Sequence, residues 1–547
     1  MSKLFSVLLC TGLLLISCGE RPQEEISTLP GAMILSASVN GQRVSNGGTA
    51  GDLPMQGNTV LLEFSRPIDI SALDRDRIRF SGGAVEISAL QDGVSLSVSL
   101  PEPLKPLTQY QFRVIEGEQL GIRLINTFHF NLSTGISDSD KFPRISTDEL
   151  LTMVQQQTFK YFWDYAHPVS GLSRERLGSG NTVTTGGSGF GIMALPVAVE
   201  RGFVTRAEAA ARMRKIIGFL SGKADRFHGV FPHWLNGETG KVIPFSSNDN
   251  GGDLVETAFL IQGLLTAAQY FDAADEEDIP SGIDAIWRAV EWDWFTREGQ
   301  DVLYWHWSPD KGWTMNMTVS GWNEGLIVYV LAASSPTHAI AKAVYDKGWA
   351  RSGGIRSGKK FYDITLPLGA DLGGPLFFAH YSFLGLDPRG LKDAWCASYW
   401  DQNVAHARIN HAYCAANPGK HAGYSDACWG LTASDIPNGY AASSPTNDKG
   451  VIAPTAALAS FPYTPEESLR ALEHFYYALG DKLWGEYGFY DAFCLDKSWF
   501  ASSYIAIDQG PIVVMIENYR TGLLWDHFMQ HPDVKAGLSA LGFQRTR

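Results

Sequence analysis

All sixteen tryptophans lie between Trp163 and Trp525, and the hydrophobic periodicity changes near the start of that span. A tryptophan-free first quarter joined to a tryptophan-rich remainder is not one repeated architecture. Over 33–132, short apolar runs alternate with polar residues at 34–39, 60–64, 94–100, 110–114 and 127–130, broken by Asn-Gly, Gly-Gly and Asp-Gly pairs. Period-two alternation marks half-buried strands, and such pairs favour the tight turns between them. The expected product is a small immunoglobulin-like β-sandwich over 33–135, close to the roughly 100 residues of such modules. It holds no cluster of acids, histidines or cysteines, so it reads as a spacer.

From residue 145 the pattern is helical. Ser146-Thr147-Asp148-Glu149 offers an N-cap, followed by Leu151, Val154, Phe159, Phe162 and Trp163 at helical spacing. Comparable stretches recur at 189–202, 205–222, 253–272, 281–296, 322–333, 336–348, 388–414, 450–460, 465–479 and 509–530. Some are amphipathic and others almost wholly apolar, which suggests outer helices alternating with inner ones. The predicted architecture over 145–547 is mainly α: an (α/α)6 toroid whose long Gly-, Trp- and Asp-rich loops gather over one end.

At the N-terminus, Met-Ser-Lys precedes an apolar run over 4–16 and then Ser17-Cys18-Gly19. A charged start, a short apolar stretch and a small residue before the break make a secretory signal, too short for an anchored spanning helix. Cys18 resembles the lipidated cysteine of a bacterial lipobox. The expectation is a lipoprotein signal peptide over 1–18 and a flexible tether over 19–32, with the protein exported to the periplasm or the outer membrane and cell surface, on a membrane through its N-terminal lipid. The spacing of Cys396, Cys414, Cys428 and Cys494 matches no metal signature, and buried free thiols are preferred over a disulfide. A net charge of −14 argues against a nucleic-acid partner, which needs a basic face. A monomer without cofactor or metal is expected.

Three acidic segments could carry chemistry. In Asp249-Asn250-Gly251-Gly252-Asp253-Leu254-Val255-Glu256, Asp253 and Glu256 stand three apart and so share a helical face, with Asp249 on the loop before them. Acids at a helix start are also ordinary partners of its dipole. Glu324, in Gly321-Trp322-Asn323-Glu324-Gly325, is the only Asp, Glu, Lys or Arg between Lys311 and Lys342. An isolated acid leading an apolar helix suits a general acid with a raised pKa. Asp508, in Asp508-Gln509-Gly510-Pro511, is either a helix cap or a carboxylate facing Glu324. His233, Trp234, Trp305, Trp307, Trp313, Trp322 and Asn323 are the nearby candidates for holding a ligand with flat apolar faces, such as a sugar.

The motifs Asn-Asp-Asn-Gly-Gly-Asp-Leu-Val-Glu-Thr-Ala-Phe, Gly-Trp-Asn-Glu and Asp-Gln-Gly-Pro, in that order within a tryptophan-rich helical domain, resemble the bacterial glucoamylase-like domain of glycoside hydrolase family 144. The resemblance covers residues 145–545. It implies an (α/α)6 barrel and an endo-acting, inverting hydrolysis of β-1,2-glucan to short sophoro-oligosaccharides. It also implies that Asp249, Asp253, Glu256 and Glu324 stand at the subsite of cleavage, with Asp508 as a fifth. Inversion needs a protonated acid on the leaving oxygen and a base holding water, their carboxyls roughly 6.5–9.5 Å apart. Glu324 is the expected acid, with Asp508 or the Asp253/Glu256 pair as base. The sandwich and lipobox resemble a layout of Bacteroidetes surface lipoproteins. Two rivals stay open: hydrolysis of another α- or β-linked glucan on the same fold, and a non-catalytic surface glycan-binding lipoprotein.

Overall fold

The computed structural model describes residues 27–137 and 139–546. Cys18, the signal segment and most of the tether lie outside the described residues. The chain divides into two compact units: one runs up to Lys105 and takes in Gln109–Thr134, the other holds Pro106–Thr108 and everything from Gly135.

The first unit is β-rich. A five-stranded antiparallel sheet runs in the order Gln42–Arg43, Ile34–Val39, Thr59–Phe64, Ser95–Ser99, Glu86–Ala89. A four-stranded sheet runs Thr49–Leu53, Phe128–Thr134, Gln109–Val114, Ile78–Phe80, its first pair parallel. Strand pairing begins at Gly31–Ala32, inside the expected tether, against Ile122–Leu124. Val60, Leu62 and Phe64 point into a core shared with Leu96, Val98, Phe112 and Phe130, while Leu61 between them is exposed. That alternation fixes the register, because a one-residue slip would turn the buried set to water.

The second unit is helical. Its helices are α1 (Thr147–Trp163), α2 (Thr185–Glu200), α3 (Arg206–Gly222), α4 (Leu254–Tyr270), α5 (Asp278–Arg288), α6 (Leu326–Ser334) and α7 (Lys342–Val344). They continue with α8 (Tyr399–Ala416), α9 (Pro454–Leu458), α10 (Pro465–Glu473), α11 (Gly480–Leu483), α12 (Ala506–Arg520), α13 (Leu523–Gln530) and α14 (Pro532–Leu541). Capping boxes start α1 (Ser146 with Glu149) and α3 (Thr205 with Glu208). Every residue of α6 is buried, and all of α4 except Gln269, whereas α3 and α5 bury one stripe. The buried helices pack together, α2 on α4 and α12 and α4 on α6, while α3 and α5 pack on α2 and α4.

Among the helix boundaries that differ from the sequence expectation, three have a plain local reason. α2 starts at Thr185 and so takes in Gly186, Gly187 and Gly189, because its backbone touches that of α4: a Cβ on Gly189 would lie 2.2 Å from the Phe259 carbonyl oxygen. The helix expected from 388 begins only at Tyr399, after Pro388, the left-handed Gly390 (φ 67°) and the capping Ser398. The stretch 509–530 is divided by Gly522 at φ 81°. Cys396, Cys414, Cys428 and Cys494 are buried free thiols. No helix among the described residues is long and apolar enough to cross a membrane.

Candidate active site

A cavity of about 440 Å³ opens in the helical unit, walled by Glu175, Glu256 and Glu324, by Arg176 and His233, and by the rings of Trp234, Phe245, Trp305, Phe377, Tyr381 and Tyr440. Two small ladders hold much of it. Thr182–Thr184 pairs with Trp234–Asn236, and Gly252–Asp253 pairs with His306–Trp307.

Asp253 is the N-cap of α4 and does not line the cavity. Its Oδ1 accepts the Val255 and Glu256 N–H groups at 3.0 and 2.9 Å, and its Oδ2 accepts from His233 Nδ1 at 3.0 Å and Trp305 Nε1 at 3.1 Å. The spacing of three to Glu256 is therefore a cap relation, and the buried carboxylate aims two residues that do line the cavity. Glu256 Oε2 accepts the Gly186 N–H at 2.8 Å, an approach that only glycine permits, since a Cβ there would lie 2.6 Å from that oxygen. His233 Nε2 lies 3.9 Å from Glu256 Oε1, and its ring stacks on Phe245 at 4.0 Å. Burial works against the imidazolium, but the Glu256 and Asp253 carboxylates outweigh it and push His233 up to about 9.

Asp249 is also buried behind the wall, 3.3 Å from His306 Nε2. That nitrogen accepts the Gly251 N–H, so it offers Asp249 no proton. Burial, followed by the Asp253 charge, pushes Asp249 up to about 7. His233, Asp249 and Asp253 each present a ligand atom within 4.8 Å of the others, the one group among the described residues able to hold a cation. The His233 imidazolium already supplies a positive charge there.

Glu324 lies in the turn before α6, next to its N-cap Gly325, with its carbonyl held by the Ser382 hydroxyl. Burial, reinforced by the Glu256 and Asp253 charges, pushes its carboxyl up to about 7. Asp508 lies in the first turn of α12, fully buried behind the cavity wall; Tyr381, which does line the cavity, donates its hydroxyl to Asp508 Oδ1 at 3.4 Å. Its cap role is taken elsewhere, since Ile505 is the N-cap of α12.

Of the expected aromatic platforms, Trp234 and Trp305 line the cavity and three do not. Trp313 lines a separate cavity of about 330 Å³ with Trp294 and Asp293, and Trp307 packs edge-on to Trp294 and His228. Trp322 is a core residue, 7% exposed, packed on Trp349 and Phe383 with its Nε1–H directed to His406. Proximity to Glu324 in sequence misleads here, because the turn before α6 sends Trp322 inward. Asn323 Oδ1 accepts the Gly325 N–H at 2.9 Å and shapes that turn rather than the wall.

Sequence reasoning missed Glu175, Arg176, Tyr381 and Tyr440 in the wall, and Asp435 and Asp491 behind it. Arg176 pairs with Glu175 at 3.0 Å and Asp435 at 3.1 Å. Asp491 carried a readable signal: it stands alone in Phe489-Tyr490-Asp491-Ala492-Phe493, the same isolated-acid pattern as Glu324.

A family model described as "Putative glucoamylase" matches residues 316–532. The structure of an endo-β-1,2-glucanase from Chitinophaga pinensis, in complex with sophorotriose and glucose, is 53% identical with a TM-score of 0.72, covering 73% of this chain and 99% of that one. The chain belongs to glycoside hydrolase family 144. A β-1,2-glucanase structure from Parabacteroides distasonis is 37% identical to this family 144 chain, covering 94% of it and 74% of that protein, with a TM-score of 0.71. An exo β-1,2-glucooligosaccharide sophorohydrolase (non-reducing end) from Parabacteroides distasonis is 47% identical over 421 residues, 73% of this chain; the chain spans 58% of that relative's length. This family 144 member thus joins a glucoamylase-like helical domain to an N-terminal β-rich region.

Proposed function

We propose that the protein hydrolyses β-1,2-glucan to short sophoro-oligosaccharides by an inverting mechanism without a cofactor. The observation that carries this is Glu324: a desolvated carboxyl titrating at about 7, in a ring-walled cavity, in a chain 53% identical to an endo-β-1,2-glucanase. Near neutral pH much of it is protonated and able to give its proton to the glycosidic oxygen as that bond breaks. The attacking water needs a base, and Asp508 takes this role through the Tyr381 hydroxyl that links it to the cavity. Trp234 and Trp305 offer apolar faces to sugar rings, and the His233 imidazolium, aimed by Asp253, offers a donor beside Glu256.

Buried helices alternating with one-sided ones support an (α/α)6 toroid, and the three sheets before it support an immunoglobulin-like spacer. The Cys18 motif supports an exported lipoprotein of the periplasm or outer membrane, anchored by its lipid. Radioactive palmitate tests the anchor, since label retained by Cys18→Ala would refute it.

The activity is tested by incubation with linear β-1,2-glucan and a panel of other glucans, with products separated by size. Short sophoro-oligosaccharides from β-1,2-glucan are expected. Cleavage of no β-glucan would end this reading, and products from starch alone would select the α-linked rival.

A further inference from the structure

Two buried carboxyls behind the cavity form a unit of their own. Asp491, after the short strand Gly488–Phe489, and Asp508 are 2% and 1% exposed, and they hydrogen-bond each other. Asp491 Oδ2 accepts the Asp435 N–H at 2.7 Å, and Asp508 Oδ1 accepts the Tyr381 hydroxyl at 3.4 Å. The other oxygen of each, Asp491 Oδ1 and Asp508 Oδ2, has no other partner. Two carboxyl oxygens bond only through a proton between them, and two touching carboxylates in a buried site do not both ionise.

The surroundings decide where that proton sits. Asp491 faces Asp435, Asp508 and the Arg176 guanidinium, which favours its charge; Asp508 is surrounded by Asp491, Asp435, Tyr381 and Tyr440. Burial above all pushes Asp491 up to about 7 and Asp508 well above the ordinary carboxyl range. Above pH 7, where Asp491 has given up its proton, the one that remains rests on Asp508 and points to Asp491.

We propose that Asp491 is a positioning residue and the final acceptor, through Asp508 and Tyr381, of the proton released by the attacking water. The inference rests on the hydrolysis proposed above. As the water oxygen bonds to the anomeric carbon, its proton passes to the Tyr381 oxygen, the Tyr381 proton to Asp508 Oδ1, and the Asp508 Oδ2 proton to Asp491 Oδ1. Glu324 meanwhile gives its proton to the leaving oxygen as the glycosidic bond breaks. One proton enters the relay and one leaves Glu324; exchange with solvent restores both. Tyr381 is the member of this chain of groups that lines the cavity, so the relay runs through its hydroxyl.

Two measurements test it on Asp491→Asn, Asp508→Asn and the double variant. The first is the pH dependence of urea unfolding between pH 7 and 9, which needs no activity. Folding of the wild type takes up the proton held on Asp508; Asp508→Asn and the double variant are expected to take up one proton fewer, while Asp491→Asn, in which burial still holds that proton, takes up as many as the wild type. Asp508→Asn with the wild-type pH dependence would overturn the proposal. The second is hydrolysis: Asp491→Asn is expected to lower kcat about 100-fold with KM unchanged, and the double variant to be no slower than Asp508→Asn. A wild-type kcat, or losses that multiply, would overturn the relay. A wild type inert on every glucan would instead refute the proposed function, while the unfolding measurement still judges the shared proton.

Discussion

Glu324→Gln separates what the acid contributes to chemistry from what it costs the fold. In the unfolded chain this carboxyl titrates at its ordinary 4.5, and in the folded protein at about 7. Folding therefore binds a proton between those two values. The raised value contributes its stability in full below pH 4.5 and loses it as pH climbs to 7, where the effect levels off. At about 1.4 kcal/mol per pH unit, the wild type forfeits roughly 3 kcal/mol by pH 8, an upper figure because water in the cavity screens the charge. Glutamine keeps the shape and cannot ionise. The variant should match wild-type stability at pH 4.5, exceed it by about 2–3 kcal/mol at pH 8, and hydrolyse glucan about 10²- to 10⁴-fold more slowly. Urea unfolding followed by tryptophan fluorescence at both pH values, with product release measured beside it, provides the check. A stability difference that is the same at both pH values, or a rate within tenfold of wild type, would refute the reasoning.

Other expectations follow from the same geometry. His233, held up to about 9 by its carboxylates, contributes stability that is full below pH 6.5 and lost as pH rises to 9; His233→Gln should flatten that loss in a series of melting curves. Trp322→Ala should destabilise by about 3–5 kcal/mol while leaving KM unchanged below its lowered Tm, whereas Trp234→Ala should raise KM about tenfold at an unchanged Tm. Asp253→Ala should cost about 1 kcal/mol for the lost α4 cap, more for the freed His233, and most of the activity, read by Tm and product release. Reducing agent should leave Tm unchanged, because the four described cysteines are free thiols; a drop of several degrees would mean that a disulfide forms.

Sequence by itself determined the two-part plan, because hydrophobic period is local. Alternation over 34–39 and 60–64 can bury only one face of a strand, and the apolar run before Ser334 has no polar face to turn to water and so must be buried. It also singled out Glu324, since a lone acid among apolar neighbours loses its water wherever that helix packs. Tertiary structure alone decided who faces whom. Asp253 and Glu256, alike in sequence, divide into a cap and a cavity wall because the pairing of Gly252–Asp253 with His306–Trp307 brings Trp305 within reach of Asp253. Trp322 and Trp234, equally plausible as platforms, go to the core and to the cavity. Asp491 reaches Asp508 only when a hairpin and a helix meet. A side chain's residue type and period are written in its own neighbourhood, but its partner comes from a distant segment, and the partner sets its charge, its burial and its work.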